Sequence, residues 1–324
     1  MRELTYSEAA LEAIAEEMRR DPKIFYMSTD AIPSLAKEFG DERIKATPIT
    51  EAAFTGMGIG AAGCGFRPIV DWRQVTFCFV AMDQIVNQAA KIHYMFGGQV
   101  PFPMLFRASV GGGGQVAAQH SQSPYSMFMN VAGLKMFLPS TPYDMKGLIK
   151  TAIRDNNPVI SFESSRLMGR KGPVPEEDYA IPLGQADVKR EGKDVTVVAL
   201  AWLVHEALAA AEELAKEGIS VEIVDPRSLV PLDAGTIRDS VQKTGRLVIA
   251  DEAGPTCGFS AEIAALMTED PATFARLKAP VKRVCALQVP IPYVPVLESA
   301  VFPDRNRIIA GIREVLDAPF AGNG

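Results

Sequence analysis

The first half of the chain alternates between helical and strand-like hydrophobic spacing. A capping-box pair near the N-terminus, Thr5 with Glu8, predicts the start of a helix. The apolar residues that follow it at helical spacing are Leu11, Ile14 and Met18. Short continuous apolar runs predict buried strands at residues 24–27, 69–72, 103–108, 134–138 and 158–162. Helical spacing between these runs predicts helices over residues 79–96 and 143–154.

The second half repeats this alternation more regularly. The predicted elements are strands over residues 195–200, 221–224 and 247–250, a helix over 204–217, and a helix that begins near 231–233. Continuous apolar strands that alternate with amphipathic helices are typical of a parallel sheet covered on both faces. The pattern therefore predicts an α/β protein with two open, largely parallel-sheet, three-layer domains.

The composition changes between these halves. Residues 164–194 carry charges, proline and glycine with little apolar periodicity, which is typical of a linker. We therefore predict a first domain over residues 1–180, a linker over 181–194 and a second domain over 195–324. The length of 324 residues agrees, because a common domain has about 150 residues.

The charge balance is slightly acidic, with 33 Lys and Arg residues against 39 Asp and Glu residues and a net charge of −6. This balance argues against a nucleic-acid-binding protein, which normally carries a basic excess. No apolar stretch approaches the ~20 residues of a membrane helix, and the acidic N-terminus has no signal-peptide core. We therefore expect no membrane partner and a cytoplasmic location. The 4 cysteines and 3 histidines offer no zinc-binding spacing, so we expect the cysteines to be reduced and mostly buried.

A glycine-rich stretch partly matches a dinucleotide-binding fingerprint. Its residues are Gly58, Gly60 and Gly63, followed after a further stretch by Asp83. The fingerprint requires a strand directly before the first glycine and an acidic residue at the end of a second strand. Here small residues precede Gly58, and Asp83 falls in a helical pattern. The sequence therefore favours a small-residue helix that neighbouring segments approach closely, with an NAD site as the alternative.

Glu51 is the first candidate for chemistry, because it opens this glycine-rich helix. The helix dipole favours a carboxylate at that position, so a purely structural role in the first turn is one explanation and a ligand-binding role is the other. Phe77 has two explanations as well. It can be an ordinary core aromatic, or a ring that stacks on a planar heterocycle.

His120 is the second candidate, and it lies in a polar loop after four glycines and a predicted strand. Ligands gather at the carboxyl ends of strands in parallel α/β sheets, and a histidine there can transfer protons near neutral pH. A loop histidine that only forms hydrogen bonds is the alternative. His93, within a predicted helix, and His205, near a helix start, are better suited to packing or surface positions.

Several segments in order along the chain together resemble one known family. They are Thr47–Glu51, Gly58–Ala62, Asp83–Lys91, Tyr94–Gly98, Ala118–Gln122, Lys146–Ile149, Ala152–Pro158, Pro226–Arg227, Pro231–Asp233 and Ile291–Tyr293. With them the chain resembles, essentially end to end, the β subunit of the thiamine-diphosphate-dependent dehydrogenases. These are the decarboxylating components for pyruvate and branched-chain 2-oxo acids, and acetoin dehydrogenase. The resemblance implies a transketolase-like pyrimidine-binding domain followed by a transketolase C-terminal domain.

This resemblance also implies roles for individual residues. Glu51 matches the carboxylate that hydrogen-bonds N1′ of the cofactor's aminopyrimidine, and Phe77 matches the aromatic residue beside that ring. Val80 stands near the pyrimidine, where the pyruvate enzymes commonly have glutamine. His120 matches a histidine near the thiazolium and substrate, which is expected to transfer protons or to hand the acyl group to lipoate.

Metal ions and partners are implied in the same way. The residues that match a structural potassium site, formed mostly by backbone carbonyls, are Met104, Ala152, Ile153, Asp155 and Asn157. The sequence contains no Gly-Asp-Gly motif, which the family uses to hold Mg²⁺ and the cofactor's diphosphate. The resemblance therefore implies a separate α subunit that supplies this half of the site, an α2β2 assembly, and a dihydrolipoyl acyltransferase core with a lipoyl domain as partner.

The predicted function is that of a β subunit in a component that cleaves a 2-oxo acid or acetoin and transfers the acyl group to lipoamide. The stretch Trp72–Val80 departs from the family's usual sequence, while Tyr94–Gly98, His120–Ser123 and Pro139–Asp144 look more like the acetoin branch. The substrate therefore stays open between pyruvate, a branched-chain 2-oxo acid and acetoin. An NAD-dependent oxidoreductase and a non-catalytic scaffold subunit are the alternative functions.

Overall fold

A computed structural model describes residues 2–318 of the chain. Its strands are Arg2–Thr5 (β1), Ile24–Ser28 (β2), Ile44–Ala46 (β3), Arg67–Gln74 (β4), Met104–Val110 (β5), Lys135–Phe137 (β6), Pro158–Ser164 (β7), Lys171–Val174 (β8), Asp187–Arg190 (β9), Val195–Ala199 (β10), Val221–Asp225 (β11), Ser228–Val230 (β12), Leu247–Asp251 (β13) and Lys282–Cys285 (β14).

The α-helices are Tyr6–Arg20 (α1), Pro33–Phe39 (α2), Glu51–Gly63 (α3), Ile92–Met95 (α4), Ala117–His120 (α5), Tyr125–Met129 (α6), Pro142–Arg154 (α7), Trp202–Ala215 (α8), Ala234–Thr244 (α9), Phe259–Glu269 (α10), Pro271–Phe274 (α11), Pro295–Val301 (α12) and Arg305–Asp317 (α13). Two 3₁₀ helices, Val75–Ala81 and Ser165–Leu167, and a π-helix, Gln84–Ala89, complete the set.

The chain divides into two compact units. Among the described residues, unit 1 comprises 2–110 and 127–183, and unit 2 comprises 111–126 and 184–318. The segment that carries His120 is therefore inserted in the sequence of unit 1 but packs with unit 2.

Unit 1 is built on a parallel sheet in which six of its strands lie in the order β6-β7-β5-β4-β2-β3. Its central strands are buried along nearly their whole length, because α-helices cover the sheet, and this explains their continuous apolar sequences. Helices α1 and α7 pack together, and the buried Lys146 Nζ of α7 lies 2.7 Å from Glu12 and 2.8 Å from Glu16 of α1.

Unit 2 has a five-stranded sheet in the order β14-β13-β10-β11-β9, and only β9, at the edge, is antiparallel. The predicted α/β class with largely parallel sheets is therefore confirmed in both units. Asp233 caps α9 by accepting the Thr236 N–H at 3.0 Å, and Gly245 ends it in the left-handed conformation.

The predicted helix over residues 79–96 is wrong as a single element. Instead, this region contains the 3₁₀ helix Val75–Ala81, the π-helix Gln84–Ala89 and the short α4. Val75, Cys78 and Ala81 are the buried residues of the 3₁₀ helix, and this spacing of three matches its three residues per turn. The apolar residues of this region recur both at every third position, as in a 3₁₀ helix, and at every third to fourth position, as in an α-helix. Hydrophobic periodicity alone therefore does not distinguish the two helix types.

The stretch of 164–194 predicted as a linker contains regular structure. Strand β8 pairs with β1 in a two-stranded antiparallel sheet, and β9 pairs with β11. Both strands are short and half exposed, so they lack the apolar runs on which the strand predictions rest. Among residues 2–318, no helix is long and apolar enough to cross a bilayer.

Candidate active site

Glu51 is the first residue of α3 and directly follows the loop after β3. Its side chain is buried, with 7% exposure, yet within residues 2–318 its carboxylate has no hydrogen-bond or ion-pair partner. Its oxygens are not among the fully buried side-chain atoms that lack a partner, so the carboxylate remains accessible at the helix N-terminus. The geometry therefore provides, at a helix N-terminus, a carboxylate acceptor that no donor among residues 2–318 occupies.

Helix α3 is held against the sheet by small residues and one hydrogen bond. A Cβ on Gly58 would lie 2.8 Å from Val70 Cγ2, and one on Gly63 would lie 2.9 Å from the ring of Phe102. The Trp72 indole donates to Thr55 Oγ1 at 2.9 Å. These glycines lie within a helix that follows a loop, so the small-residue helix predicted for them is confirmed and the dinucleotide-binding turn is absent at this position.

Phe77 and Val80 lie on the 3₁₀ helix that follows strand β4. Phe77 is half-buried, and Val80 is 67% exposed. This partial burial is compatible with both explanations given for Phe77, a core aromatic and a ring that stacks on a planar heterocycle. An apolar side chain as open to solvent as Val80 is available for contact with another molecule.

His120 ends the one-turn helix α5 in unit 2 and is half-buried. The backbone of this segment is unusual, because Gln115 and Ala117 both have positive φ angles, of 53° and 62°. Each left-handed residue other than glycine costs about 1–2 kcal/mol, and such residues persist only where surrounding contacts hold them. The His120 segment is therefore held in a specific shape by contacts outside itself.

The residues predicted to hold potassium lie close together in unit 1. Ala152 and Ile153 end α7, Asp155 and Asn157 form the turn into β7, and Met104 pairs with Pro158 in the sheet. The guanidinium of a further residue, Arg67, donates to the carbonyl oxygens of Ile153 at 3.0 Å and Asp155 at 2.9 Å.

Asp155 has its own side-chain contacts at this turn. Burial raises its pKa, but hydrogen bonds from Lys135 and Asn157 outweigh the burial and hold the pKa below its ordinary value. The carboxylate is therefore already engaged at neutral pH, and backbone oxygens are the groups that this turn offers to a cation.

Comparison with known proteins identifies two family domains in the chain. Residues 2–170 match the family model "Transketolase, pyrimidine binding domain", and residues 184–308 match "Transketolase, C-terminal domain". The chain is 44% identical to the β subunit of acetoin:2,6-dichlorophenolindophenol oxidoreductase from Cupriavidus necator, over 97% of this chain and 98% of that protein. It is 40% identical to the 2-oxoisovalerate dehydrogenase β subunit of Bacillus subtilis, over 97% and 99%.

The chain belongs to the transketolase-like β subunits of acetoin and 2-oxoacid dehydrogenases. A third relative of this family, the mitochondrial pyruvate dehydrogenase E1 β-1 subunit of Arabidopsis thaliana, is 42% identical over 95% of this chain and 88% of its own length. A solved structure titled "Split gene transketolase, inactive beta4 tetramer" superposes with a TM-score of 0.80 at 24% identity, over 97% of this chain and 98% of that one, and supports the fold alone.

As a β subunit of this family, the chain is part of an oxidoreductase, and the family resemblance stated from its sequence is confirmed. The cysteines of the described residues are all free, as expected. Cys78 and Cys285 are buried, but Cys64 and Cys257 are exposed, so only half of them fit the expected burial. His93 is exposed and lies 2.7 Å from the Val100 carbonyl oxygen.

This β subunit also contains a second polar cluster, which is not predicted from its sequence. Asp71 and Arg107 are neighbours in register on β4 and β5, and Arg107 forms two hydrogen bonds with Glu163 of β7, at 2.7 and 2.8 Å. Tyr26 donates to Asp71. Asp71, Arg107 and Glu163 line a cavity of about 650 Å³ in unit 1. The available signal was a charged residue near the end of each of three apolar strands.

The charges in this cluster support one another. Burial lowers the pKa of Arg107, but the neighbouring carboxylates of Glu163 and Asp71 raise it by more, and its pKa stays above the ordinary value. Burial and the Asp71 charge raise the pKa of the Tyr26 hydroxyl. The tyrosine therefore stays a donor and the arginine stays charged across the physiological pH range.

Proposed function

We propose that this chain is the β subunit of a thiamine-diphosphate-dependent dehydrogenase that cleaves acetoin or a 2-oxo acid and passes the acyl group to lipoamide. Its activity requires a separate α subunit. The identity to acetoin and 2-oxoacid dehydrogenase β subunits over almost the full chain supports this proposal. Because both kinds of relative match similarly well, the substrate is a question for experiment.

The observation that carries the proposal is Glu51, a helix-opening residue that is only 7% exposed and whose carboxylate has no partner among residues 2–318. Thiamine diphosphate, when bound, supplies a nucleophilic carbon whose formation depends on the tautomer of its aminopyrimidine. Glu51 would accept a hydrogen bond from N1′ of that ring and so favour the required tautomer. Such a bond satisfies the buried carboxylate, and burial makes it stronger than it would be in water.

Phe77 and Val80 complete the proposed pyrimidine contact. A half-buried ring and an exposed apolar side chain on one short helix suit a planar heterocycle better than water. His120 is proposed to hold or accept a proton at one imidazole nitrogen near the substrate or the acyl acceptor. Its loop setting in unit 2 and the strained backbone before it support a functional position.

An α subunit is proposed as the partner of the outward face of α3. The exposed residues of this helix include Ala53, Met57 and Gly60, which form an apolar stripe of small or flexible side chains. Such a stripe allows a partner helix to approach closely. The α subunit would supply the Mg²⁺ and diphosphate half of the site in an α2β2 assembly, and a dihydrolipoyl acyltransferase core with its lipoyl domain would receive the acyl group.

A potassium ion is proposed at the turn formed by Ala152, Ile153, Asp155 and Asn157, next to Met104. Carbonyl oxygens have two lone pairs, so those of Ile153 and Asp155 can accept from Arg67 and still contact an ion. Because the guanidinium already brings a positive charge there, any stabilisation of the protein by K⁺ should be small.

The direct test uses the chain purified with an α subunit that carries a Gly-Asp-Gly motif. Glu51→Gln should lower dye-coupled turnover by roughly 10²-fold or more, because the amide is a poorer acceptor for N1′, while the complex still assembles. Glu262→Gln, an exposed first-turn glutamate of α10, is the matched control and should leave turnover unchanged. Acetoin, pyruvate and 2-oxoisovalerate would be compared as substrates.

Three outcomes would contradict the proposal. Full turnover by Glu51→Gln would remove its assigned role. Calorimetric binding of NADH by the chain alone, without thiamine diphosphate binding by the complex, would favour the NAD-dependent oxidoreductase. Full activity of complexes that carry both Glu51→Gln and His120→Ala would favour a non-catalytic scaffold subunit.

A further inference from the structure

The two ends of the His120 segment, Gly111–Ser126, lie close together, and the segment packs with the C-terminal part of unit 2. The Gly111 N–H donates to the Gln122 carbonyl oxygen at 3.0 Å, which draws the two ends of the loop together around His120. What holds this closed loop in place therefore also determines where the imidazole lies.

Glu298 makes the first contact that fixes the loop. It lies in the first turn of α12, is 3% exposed, and accepts the Gly113 N–H through Oε1 at 2.9 Å. Within residues 2–318 it forms no ion pair. Burying a carboxylate without a positively charged partner costs free energy that an apolar side chain at the same position would not cost. The hydrogen bond from Gly113 therefore indicates that Glu298 holds the loop in position.

Gly111 and Gly112 allow the loop backbone to pack closely against Glu252 and Phe302. A Cβ on Gly112 would lie 2.2 Å from the ring of Phe302, which is buried, and one on Gly111 would lie 2.7 Å from Glu252 Oε2. Glu252 is itself fixed by the Trp202 indole N–H at 2.7 Å. The loop backbone thus has little freedom to shift toward the C-terminal core.

Tyr125 fixes the other end of the segment. Its hydroxyl donates to Asp251 Oδ1, and both side chains are fully buried. Asp251 also accepts the N–H groups of Ala253 at 2.9 Å and Ser260 at 3.3 Å, so its position does not depend on the tyrosine. Along the loop, His120 therefore lies between two anchored positions, Gly113 held by Glu298 and Tyr125 held by Asp251.

We infer that Glu298 and Tyr125 are positioning residues for His120, a role that rests on the proton-transfer function proposed for that histidine. Neither residue needs to touch the substrate. Glu298 keeps the first half of the loop in its strained conformation, and Tyr125 keeps the second half seated on Asp251. Together they set the imidazole from unit 2, whereas Glu51 is carried by unit 1.

A double-mutant cycle tests this inference in the assembled complex. Glu298→Ala should lower kcat for acyl transfer by about 10-fold to 100-fold, because a displaced catalytic group loses its alignment. Glu298→Gln keeps an acceptor oxygen and should recover most of the activity. If Glu298 acts through His120, then the double variant with His120→Ala should be no slower than His120→Ala alone.

A control and a second variant keep the test decisive. Asp270→Ala removes a similar carboxylate-to-backbone bond, to Thr273 at the start of α11, and should keep normal kcat despite a comparable loss of stability. If Glu298→Ala does not fold, Tyr125→Phe enters the same cycle, because it removes only a hydroxyl. The pH profile of kcat should change in the positioning variants toward that of His120→Ala and stay unchanged in Asp270→Ala.

The outcomes separate this inference from the proposed function. An unaltered His120→Ala enzyme would overturn the role of the histidine itself. A slow His120→Ala enzyme, combined with effects of Glu298→Ala or Tyr125→Phe that simply multiply with it, would leave that role standing and overturn the positioning role.

Discussion

Glu51 and the His120 segment are two proposed functional regions that reach their positions by opposite means. Glu51 begins a regular helix of 13 residues, and a bond that holds this helix joins Thr55 to Trp72, 17 positions away. The His120 segment is a glycine-rich loop fixed by partners 126 and 185 positions away, at Asp251 and Glu298.

Because of this difference, the two regions are sensitive to different kinds of substitution. A helix that packs through small residues tolerates changes on its exposed side and suffers from added volume on its buried side. A strained loop depends on each remote contact, because its own backbone favours other conformations. Substitutions should therefore separate the two regions by their ratio of activity loss to stability loss.

The largest effect is expected from Gly112→Ala. The added methyl would overlap the Phe302 ring at 2.2 Å, so the loop must move. We expect a stability loss of about 1–3 kcal/mol, as for an overpacked core, and a fall in kcat of roughly 10²-fold from the displaced His120. Thermal unfolding and turnover of the assembled complex measure the two quantities.

A compensating change makes this prediction specific. Phe302→Leu removes ring atoms at the point of overlap, and the double variant should recover part of the kcat that Gly112→Ala loses. If Gly112→Ala keeps full activity while stability falls, the position of this loop has no influence on catalysis, and the contrast with α3 disappears.

The sequence was most informative where local physics decides the structure. The Thr5 and Glu8 capping box, with the apolar spacing after it, predicts α1, and the structure forms both reciprocal bonds. The small residues after Glu51 predict a closely packed helix, which is α3. The prediction of a single helix over residues 79–96 was wrong because tertiary packing favours 3₁₀ and π turns there, and the sequence pattern carries no information on that packing.

In the candidate site, too, the sequence indicates some residues and does not indicate others. The local sequence makes Glu51, Phe77 and His120 candidates with structural alternatives, and only the resemblance to the family implies their roles. Those roles stay predictions, as do the domain boundaries at 180 and 195. Glu298 was missed because it looks like any first-turn glutamate, and only the folded chain brings it to Gly113. Contacts between residues this far apart in sequence leave no periodic signal.

A smaller effect is expected from a matched pair of alanine substitutions in α3. Gly58→Ala adds a Cβ 2.8 Å from Val70, so strain offsets the ~1 kcal/mol gain in helix propensity, and stability should change little or fall by about 1 kcal/mol. Glu51 should shift with the helix, so affinity for thiamine diphosphate should fall. Calorimetry on the assembled complex measures that affinity, and thermal unfolding measures the stability.

Gly60→Ala is the partner of this pair, since nothing lies within 4 Å of its added Cβ. It should stabilise the isolated chain by about 0.5–1 kcal/mol, because alanine favours the helix. If the outward face of α3 meets the α subunit, then the same methyl should weaken assembly, measured by analytical ultracentrifugation. Unchanged assembly would place the α subunit on another surface.

The smallest effect, from mild acid, should distinguish the ion pairs of α1 and α7 from the Tyr125 anchor. Burial raises the pKa of Glu16, but hydrogen bonds from Lys146 and Lys150 hold it below its ordinary value. A hydrogen bond from Lys150 lowers the pKa of Asp178 to about 2. Groups with lowered pKa values stabilise the fold above their ordinary pKa near 4, and this contribution is lost as the pH falls toward 2.

Asp251 should respond in the opposite direction, because burial raises its pKa. Its charged form costs stability at neutral pH, and protonation removes that cost as the pH falls, while its bonds to Ala253 and Ser260 persist through the second oxygen and lone pairs. Hydrogen exchange between pH 5 and 2.5, corrected for intrinsic rates, should show α7 losing protection before β13. Asp178→Asn should flatten the pH dependence in α7 and leave β13 unchanged. Simultaneous loss in both regions would mean that the two units unfold as one, and that the contrast between them is confined to their chemistry.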